Sequence, residues 1–298
     1  MAILSSKDLL QQQLAEISEL QAAKTKPVEL PKDIGVQYNA SLQKLVRAMN
    51  KDINKAILPQ VKALKFEYTA DSWVDVIEVT IAALKARWNG ERFNQWASRT
   101  ASTFINSVNQ SNQEKLNKQF KSFGINVFGN NTAVSDYLDA SVKDNVRLIT
   151  SIQEQYLTQV ESIVLGGMRQ GSMPSAITEQ LQAQFGITKR RARVISRDQT
   201  SKAANGLAKK RMESAGVKYF QWLDSNDQRV RTRHRHIANN VTKYGKGIYS
   251  FDDLPIGEQG VPVAPGDPIQ CRCVMRPVLE SEIKANIKAG RIDKGVRR

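Results

Sequence analysis

The feature that most constrains the fold is a helical period of apolar residues that begins at Tyr38 and continues to Gly216. Apolar side chains three and four positions apart share one face of an α-helix, and that face must pack against other helices. The first such face carries Leu42, Leu45, Val46, Met49, Ile53 and Ile57. Further long helices are predicted at 72–88, 94–120 and 141–169.

The end of this helical region is predicted to hold two separate helices. Ser172 can cap one that begins near Pro174, because proline is favoured in a first helical turn. Thr188 is the predicted cap of a second, basic helix that stops at Gly216. The apolar face of the second helix carries Ala192, Ile195, Ala203 and Leu207.

The residues before Tyr38 are predicted to form an arm. An amphipathic helix is expected at 6–23, where Leu10, Leu14 and Ile17 share a face. Two prolines and few apolar residues make 24–35 a predicted linker. The Gly- and Asn-rich stretch 123–135 reads as an exposed loop or short hairpin. The N-terminus has no basic region followed by a continuous apolar run, so it is not expected to be a signal peptide.

Beyond Gly216 the pattern changes. Residues 217–223 alternate and are aromatic, which predicts a strand, and 272–279 predict another. Turns, glycines and prolines fill the interval. The chain is therefore predicted to be α+β and mainly α-helical, with a helical arm and helical domain followed by a small irregular α+β module. The predicted bounds are 1–34 for arm and linker, 35–138 for the helical domain, 139–280 for the C-terminal domain and 281–298 for a basic tail.

The positive charge is concentrated in the last third. The net charge is +15, and residues 189–298 hold 24 Lys and Arg against 11 Asp and Glu. Such an asymmetry points to a polyanion, most often nucleic acid, although basic helices also serve solubility. The predicted nucleic-acid contacts are Lys189, Arg190, Arg191, Arg193, Lys209, Lys210 and Arg211. No apolar run reaches the roughly 20 residues of a membrane span, so no membrane contact is expected.

All cysteine and histidine residues lie in two pairs, each with one residue between its members. The pairs are His234 with His236 and Cys271 with Cys273. Two cysteines make no disulfide framework, and a reducing compartment is expected. Zinc accepts two Cys and two His, so these four residues are a candidate for one structural Zn²⁺, with Asp227 as the alternative fourth ligand.

The spacing leaves other interpretations open. Zinc fingers use Cys-x2-Cys, and side chains at i and i+2 of a strand share a face but stand too far apart to chelate easily. The cysteines can instead be buried small hydrophobes, with His234 a hydrogen-bonded orienting residue and His236 exposed. In that interpretation Asp227 and Arg231 form a buried ion pair, and Arg272 points away from the cysteines.

Catalysis is a further alternative. Asp224, Asp227, Arg229, Arg231 and His234 lie close in sequence, so a metal-dependent nuclease that also uses Asp252, Asp253 and Asp267 is conceivable. A Cys/His nucleophile pair is another. Neither has an independent signal in the sequence, and the chain is expected not to be an enzyme.

The C-terminal residues resemble a known family. The box Asp227, Arg229, Arg231 and His234, followed by "PGDPIQCRC", is similar to the phage Mu F-like minor head proteins, also called phage head morphogenesis proteins. The resemblance covers about 140–280. It departs from the family at Gln270, where Asn is commoner, and His236 is outside its pattern. The structural motif residues are Trp222, Asp227, Arg229, Arg231, Pro265, Gly266 and Arg272.

This resemblance implies a minor capsid protein with a role in head assembly and in DNA packaging or ejection. It implies a place inside the capsid near the portal of the virion, with the host cytoplasm as the compartment of assembly. The implied partners are the portal protein, packaged double-stranded DNA, and scaffold or major capsid protein. A zinc-dependent DNA-processing nuclease and a generic basic DNA-binding protein stay as alternatives.

Overall fold

A computed structural model describes residues 24–63, 70–125 and 132–288. The predicted helix at 6–23, residues 126–131 of the predicted loop at 123–135 and the end of the predicted tail lie outside these residues. The last four residues of that predicted loop, 132–135, are helical instead. The helices are α1 Lys32–Ala56, α2 Leu58–Ala63, α3 Ala70–Trp88, α4 Glu91–Lys121, α5 Thr132–Arg169, α6 Pro174–Ser214, α7 Thr232–Asn239 and α8 Glu280–Lys288. The strands are β1 Tyr219–Leu223, β2 Val241–Thr242, β3 Gly245–Lys246, β4 Ile248–Ser250 and β5 Val274–Val278.

The predicted class is confirmed, because helices dominate and two small antiparallel sheets follow them. None of the helices in the described part of the chain is long and apolar enough to cross a bilayer. The two strands predicted on either side of the irregular module are β1 and β5, which are two and three residues shorter than the sequence pattern respectively.

The chain forms two compact units, and each is assembled from separate segments. Among the described residues, one comprises 32–107 and 139–200, and the other comprises 24–31, 108–138 and 201–288. The units do not follow the contiguous bounds that the sequence predicted, and the division into domains stays a prediction.

The helical unit has the core that the apolar period predicts. The residues from Leu42 to Ile57 that define the predicted face are all buried, although Ile57 follows the last residue of α1. Tyr38 stacks on Phe104 with ring centroids 4.0 Å apart, and its hydroxyl donates a hydrogen bond to Asn145 Oδ1 at 3.0 Å. The polar tip of an otherwise buried ring thereby keeps a partner.

The two predicted helices at 174–216 are one helix of 41 residues, so the predicted break at Thr188 is wrong. The Thr188 hydroxyl donates to the carbonyl of Gln184 within the helix instead of capping a new one. Gly186 costs the helix only about 1 kcal/mol, which burial of Leu181 and Ala192 on either side offsets. The predicted apolar face is buried at Ala192, Ile195, Ala203 and Leu207.

The second unit is built around a three-stranded antiparallel sheet in the order β4-β1-β5. Trp222 on β1 pairs with Met275 on β5, and Phe220 pairs with Pro277. Pro277 is tolerated because β5 is the edge strand and proline has no N–H to donate. One face of this sheet packs against α4, α6 and α7 through a single apolar cluster that includes Phe120, Met212, Phe220, Trp222 and Ile237.

The residues predicted as a linker lie along the open edge of β5. Val28 N–H donates to the carbonyl of Met275 at 2.8 Å, and the Thr25 hydroxyl donates to the carbonyl of Pro277. Val28 and Thr25 are both buried. Residues 24–31 therefore cover a sheet edge that would otherwise expose unpaired backbone groups.

Candidate metal centre

The centre is built on β1, because that strand places Trp222 in the interior. Trp222 is fully buried in the apolar cluster of the second unit. Its ring meets that of His234 edge to face, with centroids 5.4 Å apart and planes at 73°. The central strand thus supplies the apolar wall against which the polar residues are held.

The chain leaves β1 through two tight side-chain-capped turns. Asp224 Oδ1 accepts from the N–H of Asn226, which has a positive φ of 48°, and Asp227 Oδ1 accepts from the N–H of Arg229. Aspartate favours such turns because its carboxylate bonds to the backbone two residues on. The turns lead directly into α7.

Helix α7 directs one histidine inward and the other outward. His234 and Ile237, three positions apart, are its buried residues. His236 is exposed, because residues two apart on a helix face different sides. The helix period therefore separates the two histidines that the sequence places as a pair.

The cysteines enter from the loop that returns to β5. Gly266 has a φ of +94°, and a Cβ there would lie 3.0 Å from Asn205, so a larger residue would strain the backbone and displace Asn205. Gln270 also has a positive φ, of 56°. This bend leaves Cys271 and Cys273 outside the regular strand, and both side chains are buried. In a regular strand, side chains at i and i+2 stand too far apart to chelate one metal easily. The kinked backbone at Cys271 and Cys273 departs from that geometry.

Three side chains converge at this point. The Nδ1 atom of His234 lies 3.6 Å from Cys271 Sγ and 3.4 Å from Cys273 Sγ. The three potential ligand atoms all lie within 4.8 Å of one another, and all three residues are buried. The cysteines are free thiols.

The cluster is electrostatically coupled. The pKa of the Cys271 thiol is lowered, first by the hydrogen bond with Cys273 and then by that with His234, while burial opposes the shift. The pKa of Cys273 is raised, first by its hydrogen bond to Cys271 and then by burial. The pKa of His234 is raised chiefly by its hydrogen bond to Cys271, while burial again opposes the shift. The hydrogen bonds of the cluster therefore favour the thiolate form of Cys271 over that of Cys273.

The other nitrogen of His234 faces a carboxylate. Nε2 lies 3.4 Å from Glu258 Oε1. It is buried and has no hydrogen bond of good geometry to any described residue, so the distance describes a charge contact, not a formed bond. Glu258 Oε2 also lies 3.8 Å from Arg231 Nη1.

A small cavity of about 30 Å³ adjoins the cluster. It is lined by the three converging side chains and by Ser225, Arg229, Val230, Arg231, Gln270 and Arg272. A cavity needs roughly 10–15 Å³ to hold one water molecule. There is room beside the thiols for one small ligand or ion-bound solvent molecule.

The structure corrects the predicted partners of the motif residues. Asp227 binds Arg272 through two hydrogen bonds of 2.5 and 2.6 Å, so the predicted ion pair between Asp227 and Arg231 is wrong. Arg231 instead donates to the carbonyl of Ile269 at 2.6 Å. The physical reason is that Arg272 points away from the buried cysteines, as predicted, and meets Asp227 in the turn.

Neither His236 nor Asp227 joins the cluster. His236 is exposed on the outer side of α7, and both carboxylate oxygens of Asp227 are held by Arg272. That bidentate pairing lowers the pKa of Asp227 to about 2. The predicted fourth ligand is thus not supplied by either residue that the sequence offered.

The predicted nucleic-acid contacts differ in exposure. Arg190 and Arg193 are exposed, whereas Lys189, Arg191, Lys209 and Lys210 are half-buried. Arg211 is buried and donates to Asn112 Oδ1 at 2.7 Å and to Asn109. Burial lowers the pKa of Arg211, and its guanidinium stabilises the packing of α4 on α6 rather than presenting charge to a ligand.

Two features of the site have no signal in the sequence. Glu258 lies in a Gly-rich loop 24 positions from His234, and only the fold brings them together. The second feature is the placement of the arginines of α7. Only the helix shows that Arg233 and Arg235 are exposed while His234 between them is buried. Each uses one donor on a backbone carbonyl, of Ile256 and Asp227 respectively.

Comparison with known proteins confirms the resemblance predicted from the motifs. Residues 158–276 match the family described as Phage Mu protein F like protein. The match begins within α5 and ends within β5, so it contains the whole centre. An uncharacterized protein of Haemophilus influenzae is 27% identical over 264 residues, which cover 87% of this chain and 56% of that protein. The chain thus spans little more than half the length of this relative. No solved structure matches.

Proposed function

From the premise that residues 158–276 are a phage Mu F-like segment, we propose that this protein acts in phage head morphogenesis as a minor capsid protein. The observation that carries the proposal is the agreement between the family match and the geometry of the motif. The Asp-x-Arg-x-Arg-x-x-His box and the Cys-Arg-Cys ending, separated by 36 residues, meet through contacts of Asp227 with Arg272 and of His234 with both cysteines.

We place the protein at the portal vertex on the inner side of the capsid, with portal protein as the first partner and scaffold or major capsid protein as others. The role is structural. The group of potential ligand side chains found among the described residues is His234, Cys271 and Cys273, and it holds no carboxylate.

The portal association is tested by co-expressing the full chain with the portal protein of the phage that encodes it. Co-purification at a fixed ratio is expected, together with the presence of the chain in isolated virions. A chain that neither binds portal nor occurs in proheads or virions would overturn the proposal. A chain that binds DNA but no head component would support the generic DNA-binding alternative.

Contact with packaged DNA is the second part of the proposal, and exposed charge supports it. Arg190 and Arg193 on α6 are exposed, and Lys189 beside them lies over the ring of Phe185 at 5.3 Å. Such side chains neutralise phosphates and release counterions, so affinity falls with salt with a slope of about −0.9 per phosphate contact. Arg211 is left out of this interface because it is buried.

The interface is tested by measuring the affinity of the full chain for a duplex at several salt concentrations. Replacing Lys189, Arg190 and Arg193 with alanine is expected to make the salt slope shallower by up to about 3. A matched variant removes three exposed basic residues of α1, namely Lys44, Arg47 and Lys51. Equal slopes in the two variants would show that net charge, not this surface, governs binding.

A further inference from the structure

The three side chains that converge behind α7 have the separations of a metal site. With zinc–sulfur bonds of about 2.3 Å and zinc–nitrogen bonds of about 2.0–2.1 Å, tetrahedral geometry places sulfur and nitrogen about 3.6 Å apart. The observed distances from His234 Nδ1 are 3.6 Å to Cys271 Sγ and 3.4 Å to Cys273 Sγ. The two sulfur–nitrogen distances therefore match those of a tetrahedral zinc site.

The surroundings supply what such a site needs beyond its ligands. A metal-bound histidine usually directs its second nitrogen at a carboxylate, which fixes the tautomer and the ring. The Nε2 atom of His234, buried and otherwise unpartnered among the described residues, lies 3.4 Å from Glu258 Oε1. A second buried donor, Trp222 Nε1, also has no hydrogen-bond partner of good geometry in the described part of the chain.

The ligand set also indicates which metal is bound. Two thiolates and one imidazole form a soft, nitrogen- and sulfur-rich site. Such a site suits zinc and binds magnesium and calcium poorly, because these hard cations prefer oxygen ligands. The adjoining cavity of about 30 Å³ has room for a solvent molecule beside the thiols. Residues that would complete a four-protein-ligand site are absent from the group found in the described chain.

We propose that His234 Nδ1, Cys271 Sγ and Cys273 Sγ bind one zinc ion, with a solvent molecule from the adjoining cavity as the fourth ligand and Glu258 orienting the histidine. The ion ties α7 to the segment before β5, so it holds the two halves of the motif together. The proposed zinc site does not depend on the proposed function in head morphogenesis, because a bound zinc ion would stabilise the fold of this unit whatever the unit does.

The test uses the full chain, purified under reducing conditions, loaded with zinc and dialysed. One zinc per chain is expected by elemental analysis, and cobalt in its place is expected to show thiolate-to-cobalt charge-transfer absorption. Cys271→Ser and Cys273→Ser should each lose the ion. His236→Ala, the matched histidine variant on the same helix, should bind as tightly as the unaltered chain.

Glu258→Gln separates the proposed geometry from a simple thiol cluster. Glu258 is partly exposed, so this variant should fold, and loss of the orienting carboxylate is expected to weaken zinc affinity about 10- to 100-fold. The proposal is overturned if the folded, reduced chain binds no zinc, or if His236→Ala loses the ion as fully as Cys271→Ser does. An unchanged affinity in Glu258→Gln overturns the role assigned to Glu258.

Discussion

Gly247 controls how α7 sits on the sheet, and its replacement by alanine should loosen the whole centre. Its φ is +66°, and a Cβ would lie 2.5 Å from the carbonyl oxygen of Ala238 at the end of α7. The backbone of Gly247 is also fixed on both sides, since its N–H donates to Asn240 and its carbonyl accepts from Trp222, both at 2.7 Å. The clash therefore cannot be relieved by moving Gly247 itself.

The expected cost has two parts. A side chain in the left-handed region costs about 1–2 kcal/mol. An ordinary contact begins near 3.4 Å, so Ala238 must also retreat by roughly 0.9 Å, and overpacking of this kind costs about 1–3 kcal/mol. Gly247→Ala is thus expected to destabilise the unit by about 3 kcal/mol or more. It is also expected to displace His234, which lies on the same helix as Ala238, four residues before it.

Gly260→Ala is the matched control. Gly260 has a similar φ of +72°, but a Cβ there meets nothing within 4 Å. Gly260→Ala should cost only the free energy of placing a side chain in the left-handed region, without the overpacking. The free energies of unfolding of the two variants should therefore differ by about 2 kcal/mol. Because each 1.4 kcal/mol is a factor of ten, amide hydrogen exchange in β1 should be about 30-fold faster in Gly247→Ala than in Gly260→Ala. Equal exchange rates would refute the argument that backbone crowding against α7 decides the cost.

Three further outcomes follow from the same unit. Trp222→Ala should cost about 3–5 kcal/mol by urea unfolding, since a fully buried ring is removed. Arg211→Ala leaves two asparagine oxygens without their charged donor and should cost about 3 kcal/mol, while the salt slope of DNA binding stays unchanged. Asp227 has its pKa lowered from 3.8 to about 2, chiefly by the hydrogen bond from Arg272, so its stabilising effect is present above pH 4 and is lost as pH falls towards 2. Acid unfolding of Asp227→Asn should lack that part of the pH dependence, and an identical acid profile would contradict the assignment.

The helices and the class of the fold could be predicted from sequence because their signals are local. The apolar period that marks Leu42 to Ile57 needs only the geometry of a single helix, and the alternation at 217–223 needs only that of a strand. The predicted break at Thr188 is wrong because the local signals there are outweighed by tertiary packing. Thr188 is a favourable local N-cap residue and Gly186 is a poor helix former, but burial on both sides of Gly186 outweighs its cost of about 1 kcal/mol.

The candidate centre was predicted in composition and not in arrangement. The sequence identified Cys271, Cys273 and His234 as candidate metal ligands, since thiolate and imidazole groups bind soft metal ions such as zinc. Only the tertiary structure decided that His236 stands on the outer side of α7, that Asp227 binds Arg272, and that Glu258 faces His234. Those outcomes depend on the pitch of one short helix and on the bend at Gln270, which bring together residues far apart in the chain, and no local pattern of residues encodes that meeting.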